Sequence, residues 1–407
     1  MPRILFIAML ESVHTARWLN EIKNMGWDIH AFPSTIWKIH PSIKNITIHG
    51  IPLRSENSDN SLTFNKSIPF VWNNISDKIN TFLQLAHGNL HDDVKYEEYR
   101  INQLVKIIKK IKPDFVHTLE MQHAGYLALN AKKIIGKSFP PWIYTPWGND
   151  IYFFGRIPEH AIKIKEVLNE CNYYLPKSER DIVLANKFGF KGEILTKLPG
   201  NGGFDTIKMR GYWQPGNCSD RKIIMVKGYQ GTMNRALVAL RAIELCSDLL
   251  QDYTILLYSA TREEVKLKAE IISNETGLNI KILPVQSHEN MLRLYGKTYI
   301  SISANLSDGV SNSLLESMVM GAFPIESNTS CANEWIIHQK TGCIISPEDP
   351  TDIVNSIKFA LEHSDIINQS AEHNFQIAHE MLDKSIINPK IISLYTEILN
   401  QITQQEN

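Results

Sequence analysis

Cysteine is scarce in this 407-residue sequence and follows no pattern. The five residues (Cys171, Cys218, Cys246, Cys331 and Cys343) form no C-x-x-C pair, and no histidines cluster at metal-ligand spacing. An odd, scattered set argues against a disulfide framework and a zinc site, and fits a reducing compartment. An excess of either charge is also missing. Against 42 Lys and Arg stand 43 Asp and Glu, a formal net charge of −1 that gives no whole-molecule attraction to nucleic acid or an acidic membrane. No run approaches the roughly 20 apolar residues needed to span a bilayer. The opening "MPRILFIAML" is apolar but short and leads into a polar helix, so it reads as a first strand and not a signal peptide. Tandem repeats and low-complexity segments are absent. The expectation is a cytoplasmic protein. One Lys-rich amphipathic stretch, "QLVKIIKKIKPDF", reads as a solvated helix face, with peripheral contact at the inner face of a membrane as the alternative.

What is present is an alternation of strands and helices in a chain long enough for two cores. "RILFIA" is a buried-strand run. Ala16, Leu19, Ile22 and Met25 then recur at helical spacing before Gly26, and "DIHAF" is a second strand. Residues 34–92 are irregular. Beyond them the pattern predicts a helix at 96–111, the strand "DFVHTL", a helix at 122–135, the strand "WIYTPW", a helix at 159–170, the strand "YYLP" and the helix "ERDIVLANKFG". The Gly-, Pro- and Asn-rich stretch 197–220 is the candidate linker, with Asn201 and Gly202 shaping a hinge. A second series follows: strands "KIIMV", "YTILLY", "IKILPV", "YISIS" and "AFPIES", with helices at 232–247, 261–274 and 287–295 and one beginning at 311–313. Helices at 351–362, 366–383 and 386–403 close the chain. The expected fold is α/β, with two doubly wound, Rossmann-like domains facing across a cleft. The expected boundaries are 1–200, 201–385, and a last helix at 386–407 that packs back on the first domain.

The most informative stretch is "SDGVSNSLLESMVM" (307–320), a Ser-Asp-Gly loop followed by a helix. In doubly wound sheets ligands bind at the carboxyl ends of strands, where loops meet helix N-termini. The free N–H groups and dipole of such a terminus favour an anion, and Gly309 allows close backbone approach. Glu316, a turn inside the helix, and Asp308, in the loop, are carboxylates suited to vicinal hydroxyls. The same residues also fit a plain strand-loop-helix, with Asp308 as a cap and Glu316 paired to a buried Arg.

Several stretches in order resemble the retaining family-4 (group 1) glycosyltransferases of the GT-B fold. Asp308 to Glu316 is D-x7-E where the family has E-x7-E, followed by "GAFPIE" where it has Gly, a small residue and Pro. Glu334, "KTGCIISPEDPTDIVNSI", "LPGNGGFDTIKM", "HENMLRLYGKTYISIS", "SVHTARWLNEIKNMGWDIHAF" and "KPDFVHTL" resemble further family segments. The resemblance covers most of the chain apart from 34–92. It implies transfer of a sugar, with retention, from a nucleotide-diphosphate sugar to a glycan or lipid-linked acceptor, in bacterial surface polysaccharide synthesis. A UDP-sugar is the default donor, and no other cofactor or metal is implied. The D-x-D by which transferases of the other major fold hold a divalent cation is absent from the sequence.

Carried over residue by residue, the resemblance makes Glu316 the ribose-binding group and Asp308 a ligand of the donor sugar. The amides of Ser311, Asn312 and Ser313 meet the phosphates, with Gly309 and Leu315 beside them, and Gln286 within Val285–Ser287 touches the base. The family's Arg and Lys after the first strand of the second domain are replaced in "VKGYQGTMNRAL" by Lys227 and Arg235, either diphosphate cations or ordinary surface charge. In "YTPWGNDIY" a Trp, Trp147, stands where many members have His; Trp exchanges no proton and suits stacking on a sugar. Beside it Asn149 is an acceptor-side residue, and Asp150 is either a substrate-facing carboxylate or a helix cap. His117 either faces the cleft or is structural. His14 is an acceptor ligand, a cap or a surface residue. His288 reads as structural, and Cys331 as a small buried hydrophobe. A GT-B sugar-nucleotide 2-epimerase and a catalytically silent nucleotide-sugar-binding pseudo-transferase are the competing functions.

Overall fold

In the computed structural model, residues 1–35, 37–50, 63–64 and 94–406 are described. The irregular stretch expected at 34–92 falls largely outside them. The described chain divides into two compact units. The first comprises Met1–Lys177, Asp181–Gly202 and Asn388–Asn407, and the second Ser178–Arg180 and Gly203–Ile387.

Unit 1 is built on β1 (Arg3–Ala8), β2 (Asp28–Pro33), β3 (Thr47–Ile48), β4 (Thr63–Phe64), β5 (Phe115–Leu119), β6 (Trp142–Thr145), β7 (Tyr173–Tyr174) and β8 (Glu193–Ile194). All run parallel, in the order β4-β3-β2-β1-β5-β6-β7-β8. Ile4 to Ala8 are wholly buried, as expected of a strand covered by helices on both faces. "WIYTPW" ends as a strand at Thr145, one residue before Pro146, which has no N–H to give to a ladder. The helix Val94–Ile111 turns Leu104, Val105, Ile108 and Ile111 into the core and leaves Lys106, Lys109 and Lys110 exposed. Its apolar stripe is thus occupied by the protein's own core and not offered to a membrane. Among the described residues no helix is long and apolar enough to cross a bilayer.

Unit 2 is built on β9 (Ile223–Lys227), β10 (Thr254–Tyr258), β11 (Asn279–Ile282), β12 (Thr298–Ser303), β13 (Phe323–Ser327) and β14 (Cys343–Ile345). Their parallel order, β11-β10-β9-β12-β13-β14, is the doubly wound one, with the reversal between β9 and β12. The helix expected at 232–247 begins only at Ala236, because Gln230 and Arg235 bridge across a turn. The expected linker carries a short helix, Thr206–Arg210, capped by the Asp205 carboxylate. Gly321 (φ +68°) joins the helix Asn312–Val319 to β13, where a Cβ would lie 2.5 Å from the Trp213 ring. All five cysteines, Cys331 among them, are buried and outside any disulfide.

Candidate active site

The switch point of unit 2 gathers the polar residues of the 307–320 stretch. Lys227 ends β9, and its Nζ lies 3.5 Å from Asp308 Oδ2 in the loop after β12. Burial alone would lower the Lys227 pKa; the facing Asp308 carboxylate, together with Tyr258, Glu326 and Tyr229, more than reverses this and holds the ammonium charged. Asp308 Oδ1 also accepts the Gly309 N–H at 2.8 Å. Ser311 is the N-cap of the helix Asn312–Val319. Its Oγ accepts the Leu314 N–H at 3.2 Å and lies 3.1 Å from Ser313 Oγ. Glu316 is 8% exposed, and its Oε1 is 2.8 Å from His288 Nε2 at the start of the helix His288–Tyr295. The histidine read as purely structural is therefore a direct partner of the proposed ribose ligand. Asn305 Oδ1 and Ser307 Oγ, both buried in the same loop, have no hydrogen-bond partner among the described residues. Together these groups offer one cation, two carboxylates and a helix N-terminus.

Three expectations here need correction or refinement. Leu315 is 2% exposed and packs with Met225, Leu256 and Met318, so it is a core residue and not a donor ligand. Arg235 directs its guanidinium at carbonyls of its own turn, Gly231 at 2.8 Å and Asn234 at 3.2 Å, with Glu348 at 3.5 Å, and so pins that turn. Gln286 is turned back on its own loop, its Nε2 donating to Pro284 O at 2.9 Å.

A carboxylate that the periodicity hid completes this site. Glu326, on β13, is 2% exposed; its Oε2 accepts from Ser311 Oγ at 3.0 Å and its Oε1 lies 3.4 Å from Asn305 Nδ2. Burial, reinforced by the nearby Asp308 charge, pushes its pKa up to about 7 even though Lys227 acts in the opposite direction. In sequence its only signal is a charged residue in the otherwise apolar strand "AFPIES".

In unit 1 the His14 and Trp147 rings meet edge to face, 5.7 Å apart, and Lys177 Nζ sits 5.6 Å from the Trp147 ring centre. His14 lies in the first turn of the helix Val13–Ile22, capped by Ser12. Asn149 opens the short helix Asn149–Tyr152, its Oδ1 buried without a hydrogen-bond partner among the described residues. Asp150 is 2% exposed and accepts the N–H groups of Met121 (3.0 Å) and Trp147 (2.9 Å) and the Tyr144 hydroxyl (3.0 Å). All three bonds go to Oδ2, and through them Asp150 fastens two turns together. Burial, with repulsion from Glu120 second, raises its pKa well above the usual carboxylate range.

Of the two readings of His117, its surroundings favour the structural one. It is fully buried, and both ring nitrogens are bonded, Nδ1 to the Tyr395 hydroxyl and Nε2 to Thr145 Oγ1, each at 2.8 Å. Burial, with the Lys177 charge adding, pushes its pKa down to about 3, so it stays neutral. Just past the strand that carries it lies a residue the periodicity passed over. Glu120 has φ +85°, an unusual conformation for a non-glycine residue, and its carboxylate accepts the N–H groups of Gln122 (2.6 Å) and His123 (2.8 Å). Its hydrogen bond to the His123 ring raises that histidine's pKa against the effect of burial.

Two family profiles match this chain: "Glycosyl transferase 4-like" over residues 3–174 and "Glycosyl transferases group 1" over 213–376. The chain belongs to the group 1, family 4-like glycosyltransferases of the GT-B fold. Similar solved structures include a sucrose-phosphate synthase from Thermosynechococcus elongatus, with 11% identity and a TM-score of 0.70, covering 98% of this chain and 100% of that one. The trehalose 6-phosphate synthase of Burkholderia multivorans has 11% identity and a TM-score of 0.68, with 100% of both chains covered. HepE of Anabaena, solved with UDP and glucose, has 13% identity and a TM-score of 0.64, covering 98% of this chain and 100% of that one. Comparison with curated proteins gives no match.

Proposed function

We propose that this glycosyltransferase acts with retention, moving a sugar from a nucleotide-diphosphate donor, by default a UDP-sugar, to a glycan or lipid-linked acceptor of the bacterial surface. The observation that carries the reading is the grouping of Lys227, Asp308, Glu316 and the Asn312–Val319 helix terminus at the switch point of unit 2. Anabaena HepE in complex with UDP-glucose adds support by likeness of fold. In this reading residues 201–385 carry the donor and residues 1–200 the acceptor, with His14, Trp147 and Asn149 on the acceptor side. The bond from the sugar's C1 to the diphosphate oxygen breaks, and its electron pair leaves with the diphosphate. Lys227 and the helix N–H groups stabilise that charge. An acceptor hydroxyl forms the new bond on the face just vacated, and its proton passes to the departing diphosphate oxygen. Asp308 holds a hydroxyl of the donor sugar, and Glu316, steadied by His288, holds the ribose.

The test is turnover. UDP-, GDP- and ADP-sugars are incubated with and without a panel of glycan acceptors, and nucleoside diphosphate release and the anomeric configuration of the product are followed by NMR. Acceptor-dependent release with retention is expected, and Lys227→Ala should slow it by about 100-fold or more. Conversion of the donor alone to its C2 epimer, or binding without release over the whole panel, contradicts the reading.

A further inference from the structure

We propose that Glu326 is a positioning residue of the donor site that holds a proton in the donor-bound state, so that binding of the nucleotide diphosphate is accompanied by proton uptake. The inference rests on the donor-site reading above and adds a pH control to it.

The geometry begins with charge. Facing the Glu326 carboxyl are the Lys227 ammonium at the end of β9, the Asp308 carboxylate in the loop after β12 and the Tyr258 hydroxyl at the end of β10. With both carboxylates ionised, this buried group carries a net charge of −1 beside the helix terminus that is to receive a diphosphate. With Glu326 protonated, the net charge is zero. An arriving dianion therefore favours the protonated form. The free protein is poised for that change, since burial has already brought the Glu326 pKa close to neutrality.

The hydrogen bonds give the proton a structural consequence. Ser311 Oγ lies between Glu326 Oε2 at 3.0 Å and Ser313 Oγ at 3.1 Å, and it already accepts the Leu314 N–H. When Glu326 is ionised, the Ser311 hydroxyl donates down to it and Ser313 donates to Ser311. When Glu326 carries a proton, it donates up to Ser311, Ser311 donates to Ser313, and the Ser313 hydroxyl turns from Ser311 to the Tyr258 oxygen beside it or outward from the first turn of the helix. The same proton that removes a repulsive charge thus frees one donor at the start of that helix. No bond other than O–H is made or broken, and solvent supplies the proton.

The experiment measures binding of UDP-, GDP- and ADP-glucose by calorimetry from pH 6.0 to 8.5. Their diphosphates are esterified at both ends and do not titrate in that range. Wild-type affinity is expected to weaken with rising pH by up to tenfold per pH unit above 7, whereas Glu326→Gln, fixed in the neutral form, should lose that slope. The two proteins differ only at position 326, so the comparison isolates that carboxyl. Repeating the titration at pH 7.5 in two buffers of different ionisation enthalpy should give uptake of up to about three-quarters of a proton in the wild type, the fraction of a group of pKa about 7 that is ionised at that pH, and zero uptake counts against the proposal even if the variant fails to fold. Parallel pH curves for the two proteins, or zero uptake by the wild type, overturn the proposal while leaving the donor site intact. Absence of binding by every nucleotide sugar overturns the donor-site reading itself.

Discussion

At the scale of single residues, the legible ones were those whose chemistry disagrees with their surroundings. Asp308 and Gly309 interrupt an apolar pattern in a loop, and Glu316 interrupts one in a helix. Both carboxylates lie at the switch point where they were expected. Glu326 breaks its pattern in the same way but passed unread, because a charged residue near the end of a strand is also what solvent exposure would produce. His117 stayed open between two readings for a different reason. Its ring is enclosed by a residue 278 positions away, and no local periodicity reports such a partner. Trp18 Nε1 donates to the Tyr395 hydroxyl at 2.7 Å, and that hydroxyl serves His117 Nδ1 in turn. Tyr395→Phe therefore orphans two buried polar groups at once. A loss of about 1–3 kcal/mol for each is expected in urea unfolding at neutral pH. A change below 0.5 kcal/mol would mean that water replaces the hydroxyl and that the network is not closed.

At the scale of elements, long periodic helices and apolar strands were plain from the pattern, and short edge strands were not. β8 is two residues long and β14 three, too short for an alternation to register, and each is held by its neighbour's backbone. The end of "WIYTPW" is explained by Pro146 and the late start of the helix at Ala236 by the 230–235 turn, both local effects outweighed in a window average. The joint between the Asn312–Val319 helix and β13 depends on one glycine. Gly321→Ala demands a left-handed conformation of an alanine and drives its Cβ to 2.5 Å from Trp213, whose indole N–H is fixed at 2.9 Å to Val319 O. Strain and overpacking together should cost roughly 2–4 kcal/mol, read as a lowered melting temperature. An unchanged melting temperature would mean that Trp213 swings clear without loss.

At the scale of the molecule, two parallel sheets were legible because each strand-helix pair repeats the same grammar. The second sheet's winding order places the ends of β9 and β12 side by side, so Lys227 and Asp308 meet though 81 residues apart in sequence. The family profiles match the two halves in the same order as the two sheets. What the pattern could not supply was the set of long-range partners, His288 for Glu316 and Glu326 for Ser311, which exist only once the sheet has brought their elements together. The central claim is that this edge of unit 2 binds a nucleotide diphosphate through Glu316. Thermal melting of the wild type and Glu316→Ala with UDP, GDP and ADP tests it most directly. A nucleotide at 100 times its dissociation constant should stabilise the wild type by about 2.7 kcal/mol, and the variant should lose that response while melting cooperatively without ligand. An equal rise in both proteins, or no rise with any nucleotide in a folded wild type, would contradict the account.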